Sequence, residues 1–182
     1  MEKRSFILSS DTKLAKDGID WFQRKAKGIE AGDIFSIPLP GGGYGFGRVM
    51  NTQDGARIAE FFRFWQEDDS FSDAISASGR LFSPIGIFLD DIAYRNRKRP
   101  WKVIAKNTSY YPDDLYEIPF LLEKGPGYDY GYFTLNERYE RFGPVSQEDV
   151  DKGRVCSLLP QHPDMITEMV EELLTKLGIR QA

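Results

Sequence analysis

The chain has a single cysteine, Cys156, and a single histidine, His162, among its 182 residues. One cysteine rules out an internal disulfide framework, which agrees with a reducing compartment. A His-rich zinc site is excluded too, because zinc usually needs several Cys or His ligands. A Ser–His–Asp triad would have to use His162, and the chain contains neither a zincin helix motif nor a G-x-S-x-G elbow. The sequence therefore predicts no Cys- or His-based catalytic residues, no metal and no cofactor.

Long apolar runs are also missing. The longest, residues 85–89 and 119–122, are far shorter than the roughly 20 residues of a membrane-spanning helix. The N-terminal run Phe6-Ile7-Leu8 is too short for the apolar segment of a secretory signal, and no small-residue cleavage pattern follows it. We therefore expect a cytoplasmic protein without a membrane partner.

Charge is unevenly distributed along the chain, although the net charge is only −4. Residues 92–106 hold six basic and no acidic residues, whereas residues 59–91 hold two basic and seven acidic, and residues 107–182 hold seven and fourteen. Acidic blocks thus surround one basic block, which favours a positively charged protein partner over nucleic acid. Aromatic residues make up 14% of the chain, which favours strands and contact surfaces.

Strand patterns dominate the middle of the sequence. Residues 34–39 and 44–50, joined by a Pro/Gly turn, predict a hairpin, and residues 57–65 predict a third strand that completes a meander. Pro38 lacks an N–H, so we expect the first strand at an edge or a bulge. Further strands are predicted at residues 81–89, 101–106, 117–122 and 130–135, and residues 67–79 predict a loop or a short helix.

Two helices are predicted at the ends of the chain. Residues 11–26 have one apolar face, and residues 163–177 repeat apolar side chains at helical spacing, with Pro163 in the first turn and Gly178 at the stop. The predicted fold class is α+β, mostly β: a twisted antiparallel sheet or partly open barrel with an N-terminal helix and a C-terminal amphipathic helix. We expect one domain over residues 1–182, with an N-terminal helical segment (1–30), a β-rich core (31–122) and a C-terminal extension (123–182).

Three other patterns have a structural interpretation that is stronger than the catalytic one. The glycine-rich residues 41–47 fit no phosphate-binding motif, so they predict a hairpin turn with close packing at Gly45 and Gly47. His162, directly before Pro163, favours a helix cap. Cys156, flanked by apolar residues, favours a small buried side chain over a thiolate paired with His162.

Two alternative functions stay open at this level. An acid–base enzyme of unknown substrate could use paired carboxylates, and the candidates are Glu67-Asp68-Asp69, Asp90-Asp91 and Asp113-Asp114. A small-barrel nucleic-acid binder could use a basic run beside an aromatic, with Arg95, Arg97, Lys98, Arg99 and Trp101. Exposed loop charges are the more common explanation of both patterns.

A resemblance to a known family favours a third function. Residues 31–39 contain a G-D-x-F-x-I-P-L strand and residues 43–49 a Y-x-x-G-R-V strand, and this opening resembles the immunity protein 26 family. Trp101-Lys102-Val103-Ile104 is similar to that family's later W-x-V-I segment, and residues 82–91 fit its apolar strand. The resemblance spans roughly residues 31–122.

The resemblance implies a mostly β fold and a small protein that binds a bacterial toxin inside the producing cell, as in contact-dependent growth inhibition. It implies no catalytic residues. We expect the toxin to be a basic protein, a nuclease, which an acidic inhibitor occludes sterically and electrostatically. Three loops mix acids with aromatics or follow an aromatic strand, and we expect at least one of them to lie in the toxin interface: Glu67, Asp68, Asp69 and Asp73; Tyr110, Tyr111, Asp113 and Asp114; Tyr128, Asp129 and Tyr130.

Overall fold

A computed structural model describes residues 28–51, 57–88, 92, 101–122, 132–135, 141–146, 148–149, 152 and 154–180. The helix predicted at residues 11–26 and the basic residues 95–99 lie outside this part of the chain. No helix in the described part is long and apolar enough to cross a membrane.

Five antiparallel strands form the first sheet, in the order β4-β3-β2-β1-β5. The strands are β1 (Ile34–Pro38), β2 (Tyr44–Asn51), β3 (Ile58–Phe61), β4 (Ile85–Gly86) and β5 (Lys102–Ala105). The predicted meander is β1, β2 and β3. Its first turn is closed by Leu39 N, which donates to Gly43 O at 3.0 Å, and it uses positive φ at Gly42 and Gly43, which glycine adopts without strain.

A smaller second sheet has the order β8-β7-β6-β9. It contains β6 (Phe120–Leu122), β7 (Tyr132–Leu135), β8 (Arg141–Val145) and β9 (Cys156–Ser157), and β9 runs parallel to β6. Helix α1 covers Asp73–Ala77, helix α2 covers Pro163–Lys176, and a 3-10 turn covers Leu115–Glu117. The sequence pattern did not predict β8 or β9, because both are short and lack regular apolar alternation.

The first sheet is covered on both faces, because alternate residues of each strand point to opposite sides. α2 packs on one face, and the contact is made by side chains that are at most 1% exposed: Phe35, Ile37, Val49, Phe61, Ile166, Val170 and Leu174. α2 begins with Pro163, and Gly178 follows its C-terminal cap at φ 69°, as the sequence predicts. The helix therefore contributes three fully buried side chains, Ile166, Val170 and Leu174, to the main core.

Gly45 and Gly47 let the sheet pack this closely. A Cβ on Gly45 would lie 2.8 Å from Val170 Cγ1 of α2, and a Cβ on Gly47 would lie 2.5 Å from Phe35 Cζ. Real Cβ atoms do not approach other atoms this closely, so any side chain here would displace a neighbour. The predicted packing role of both glycines is confirmed.

The fold class is confirmed as α+β and mostly β, and the strands that the structure describes form two sheets that do not close into a barrel. Of the two expectations for β1, an edge or a bulge, the edge position is wrong, since β1 lies between β2 and β5, whereas the β1–β5 pairing does contain a register shift between Ile34 and Phe35. Pro38 is still tolerated in β1. Its nitrogen faces the side of β5, but the β1–β5 pairing ends at Ser36–Lys102, before Pro38, so no hydrogen bond is lost there. The strand predicted at residues 81–89 is shorter than expected and covers only Ile85–Gly86. The segment is apolar because Leu81, Ile85 and Ile87 are buried, not because it is extended throughout.

Candidate functional site

Two long connections cover the face of the first sheet opposite α2. Residues 62–81 leave β3 and place Ile75 of α1 against Ile34, Phe46 and Phe62. Residues 106–118 leave β5, and their Leu115 and Ile118 pack with Met50 and Ile58. We call the surface formed by these two connections the loop face. It contains the two predicted binding loops that the structure describes.

The first loop, residues 66–73, is closed by its own hydrogen bonds. Asp68 Oδ1 accepts from Ser70 N at 2.9 Å and from Gln66 Nε2 at 3.1 Å. The hydrogen bonds from Ser70 lower the pKa of Asp68, so this carboxylate stays charged well below neutral pH. Asp69 accepts from Lys102 Nζ at 2.9 Å, which fastens the loop to the edge strand β5.

The exposed part of this loop combines acids with one aromatic. Glu67 and Asp73 are exposed and make no side-chain hydrogen bond or ion pair within the described part of the chain. Phe71 lies between them and is 43% exposed, which is unusual for a side chain of its size. The loop thus presents a large apolar group with negative charge on both sides of it in sequence.

The second loop, residues 107–114, is fastened to the sheet at its start. Asn107 N donates to Gly32 O at 3.3 Å, and a Cβ on Gly32 would lie 2.2 Å from Asn107 O, so glycine is required for this contact. Tyr110 is half-buried and stacks on the Arg48 guanidinium, whose Cζ lies 4.0 Å from the ring centroid. Tyr111 is 65% exposed and Asp113 is exposed, so this loop also presents an aromatic and an acid.

A polar cluster lies beneath both loops, formed by Arg48, Glu60, Arg80 and Asp114. Glu60 of β3 is 2% exposed and pairs with Arg48, its cross-strand neighbour in β2, whose Nε donates to Glu60 Oε1 at 2.6 Å. Arg80 Nε donates to Glu60 Oε2 at 2.5 Å. The same guanidinium donates to both Asp114 carboxylate oxygens, at 2.5 and 2.9 Å. Both oxygens of the buried Glu60 are therefore satisfied by cations.

The cluster shifts the proton affinities of the groups around it. The hydrogen bonds from Arg80 lower the pKa of Asp114, so Asp114 is ionised at neutral pH. Burial, and then the nearby Glu60 carboxylate, raise the pKa of the Tyr110 hydroxyl, so that group stays neutral. The lowered pKa keeps Asp114 charged and the raised pKa keeps the Tyr110 hydroxyl neutral. Neither group is thereby tuned to donate or accept a proton near neutral pH.

Of the predicted binding residues, the structure places eight on the loop face: Glu67, Asp68, Asp69, Asp73, Tyr110, Tyr111, Asp113 and Asp114. Tyr128, Asp129 and Tyr130 lie outside the described residues. Sequence reasoning missed Phe71 and the Glu60 cluster. An acid at position 60 within a buried strand is a usable signal, because such a carboxylate requires a cationic partner.

The structure gives little support to the alternative acid–base and nucleic-acid sites. Asp69 and Asp114 are each ion-paired, and Asp114 has a lowered pKa where a general acid requires a raised one. Asp90 and Asp91 lie outside the described residues. Trp101, the aromatic of the alternative nucleic-acid site, is 4% exposed and stacks on Phe35 with ring centroids 5.3 Å apart, so its ring is not available to a nucleic acid.

The two potentially reactive side chains also have structural roles. His162 is the N-cap of α2, where its Nδ1 accepts from Asp164 N at 3.3 Å, as the sequence predicts. Burial raises the pKa of the Cys156 thiol to about 11, so little thiolate exists at neutral pH. In the part of the chain that the structure describes, no group of three acidic, His or Cys side chains could hold a metal ion.

Comparison with known proteins adds one match. A family model described as immunity protein 26 matches residues 30–129, more than half of the chain. This segment contains the first sheet and both connections of the loop face, whereas α2 lies beyond it. No curated protein and no solved structure matches the chain.

Proposed function

Because the chain belongs to the immunity protein 26 family, we propose that it neutralises one cognate bacterial toxin by binding and occluding it, without chemistry of its own. Family membership is the observation that carries this proposal, since it supports a toxin-neutralising role directly. The ion-paired acids of the loop face and the protonated Cys156 agree with a binding protein. The toxin partner is expected to be a nuclease with a basic active-site surface.

The loop face is the proposed toxin-binding surface. It brings two loops together on one side of a rigid sheet, which is the usual arrangement of a binding site. Phe71 and Tyr111 are exposed and can insert into pockets of a partner as anchors, since aromatic side chains dominate binding energy at interfaces. Residues 128–130, which the sequence predicts as a third binding loop, remain a proposed part of the toxin interface.

The charge of the loop face favours a basic partner. Glu67, Asp73 and Asp113 are exposed and unpaired among the described side chains, so their charge is available to a partner. A nuclease presents cations where it holds nucleic acid, and carboxylates placed there replace the phosphates and block access. The proposed inhibition is therefore both steric and electrostatic.

Co-expression with the toxin encoded by the neighbouring gene tests this function. Bacteria that produce the toxin should grow when they also produce this protein, and should stop growing without it. The variant carrying Glu67→Lys and Asp73→Lys should protect less. A matched variant with Glu168→Lys and Glu172→Lys on the exposed side of α2 should protect fully. Absence of protection by the unmodified protein would contradict the immunity role itself.

A further inference from the structure

Arg80 connects three parts of the molecule with one guanidinium group. Arg80 follows α1 after two intervening residues, Ser78 and Gly79. Its backbone forms an isolated β-bridge with Phe62, the residue that follows β3. Its Nε donates to the buried Glu60, and its two terminal nitrogens donate to Asp114. Arg80 therefore joins the connection that carries the first binding loop to the connection that carries the second.

We propose that Arg80 is a positioning residue, which fixes the second loop relative to the first so that toxin meets one pre-arranged surface. The proposal rests on the proposed toxin-binding function and assigns Arg80 no direct contact with toxin. Fixing a loop before binding raises affinity, because less conformational entropy is lost when the complex forms.

The geometry explains why an arginine is needed at position 80. The planar guanidinium directs one N–H to Glu60 and a parallel pair of N–H groups to Asp114, all at 2.5 to 2.9 Å. A lysine ammonium is a compact charge without this fork and cannot reproduce the set. Glu60 anchors the arginine from below, because it is buried and also held by Arg48.

Loss of Arg80 should loosen the second loop without unfolding it. Leu115 and Ile118 remain buried against Met50 and Ile58, and Tyr110 remains stacked on Arg48. The part released is the stretch around Asp114, where Leu115 N donates to Pro112 O and Glu117 N donates to Asp114 O. These two amides report the local order of the loop.

Hydrogen exchange in the toxin-free protein tests the positioning role. In Arg80→Met, the amides of Leu115 and Glu117 should exchange about tenfold faster or more, because local opening becomes easier. In Arg63→Met, a matched control at an exposed arginine whose backbone also contacts Gly79, exchange of these amides should not change. Asp114→Asn weakens the Arg80–Asp114 contact from the more exposed side. It should also speed exchange of these two amides, and it provides the test if Arg80→Met folds poorly. Unchanged exchange in Asp114→Asn would overturn the proposal.

Toxin affinity supplies the second readout. Arg80→Met and Asp114→Asn should each weaken binding by about tenfold, and together little more than either alone, because both remove one contact. Arg80→Met and Asp113→Asn should instead act additively. Arg80→Lys should weaken binding nearly as much as Arg80→Met; wild-type affinity in Arg80→Lys would mean that charge alone matters, which overturns the proposal. Absence of toxin binding by the unmodified protein would contradict the proposed function, whereas the exchange experiment still decides the role of Arg80.

Discussion

At the residue scale, the loop face depends on one buried carboxylate. Glu60 is 2% exposed in a strand whose other residues are apolar, and it accepts from Arg48 and Arg80. A charge in this position is tolerated only because both of its oxygens are paired. Arg48 in turn stacks under Tyr110, and Arg80 holds Asp114, so these two contacts of the second loop depend on Glu60.

Removing the charge of Glu60 should therefore destabilise the whole domain. Glu60→Gln leaves the partly buried Arg48 without a counter-charge and leaves Arg80 with Asp114 alone, and we expect the free energy of unfolding to fall by about 3–5 kcal/mol. Urea unfolding measures this change. Glu117→Gln, at an exposed position in the connection after β5, should change the free energy of unfolding by about 0.5 kcal/mol or less. Equal, small effects of both substitutions would show that the buried cluster is not important for stability.

Asp114 predicts a pH dependence with a definite sign. Arg80 lowers its pKa in the folded state, so the ion pair adds stability above the unfolded-state pKa of about 4 and loses it as pH falls through the lower folded pKa. At pH 7, Asp114→Asn should be less stable than the unmodified protein by about 1–1.5 kcal/mol, because the pair is partly exposed but bidentate.

The stability gap between these two proteins should narrow below pH 4 and close as Asp114 becomes protonated in both states. Urea midpoints measured from pH 7 to pH 2 follow this change. Asp113→Asn, at the exposed neighbouring position, should show little gap at any pH. A gap that widens toward low pH would contradict the assigned ion pair.

Sequence reasoning located the surface acids at this scale but not the buried ones. Glu67, Asp68 and Asp73 were found because charge runs between strands indicate exposed loops. Glu60 and Arg80 were not found, because their pairing depends on how residues 20 positions apart are brought together by the fold. Such long-range contacts leave no local pattern.

At the element scale, the approach of α2 to the sheet is set by glycine. The bounds of α2 followed from the sequence, since Pro163, apolar spacing and Gly178 are local signals. The position of α2 on the sheet did not follow from the sequence, because it depends on the absence of a side chain at Gly45, which lies opposite Val170. Gly41 N also donates to Glu171 Oε1 at 2.8 Å, so the hairpin turn holds the same helix by a second contact.

A double substitution tests this close approach. Gly45→Ala alone should destabilise the protein by about 1–3 kcal/mol, because the added methyl overlaps Val170 Cγ1. In a Val170→Ala background the overlapping atom is gone, so the same substitution should cost at least about 1 kcal/mol less. Urea unfolding of the four proteins gives the coupling.

Gly42→Ala provides the control for this cycle. A Cβ at Gly42 meets nothing within 4 Å, and the substitution is strained only by its φ of 102°. Its cost should therefore be the same with and without Val170→Ala. If Gly45→Ala is also additive with Val170→Ala, the helix is not held at the distance described here.

At the scale of the whole molecule, the two faces of the first sheet have different tasks. One face is closed by α2 and forms the main core, while the other carries both acidic loops above a cluster of paired charges. The family match covers the sheet and the loop face but ends before α2. We expect α2 to stabilise the domain and the loop face to recognise the toxin.

The prediction of a mostly β fold held because strand alternation and turn glycines are strong local signals. The placement of two separate loops on one face could not be predicted. It depends on β5 pairing with β1, so that the connections after β3 and after β5 cover the same side. Charge patterning indicated a basic partner but could not show which acids are already paired within the fold.

The kinetics of toxin binding at low and moderate salt test the central claim most directly. The toxin domain encoded by the neighbouring gene should bind the unmodified protein quickly, and association should slow as salt rises, because exposed acids of the loop face attract a basic partner. Glu67→Lys with Asp73→Lys should slow association at least about tenfold and reduce its salt dependence, whereas Glu168→Lys with Glu172→Lys on α2 should change it about twofold or less. Equal effects of the two pairs, or toxin affinity within about twofold of the unmodified protein after reversal of the loop-face acids, would contradict binding through this face.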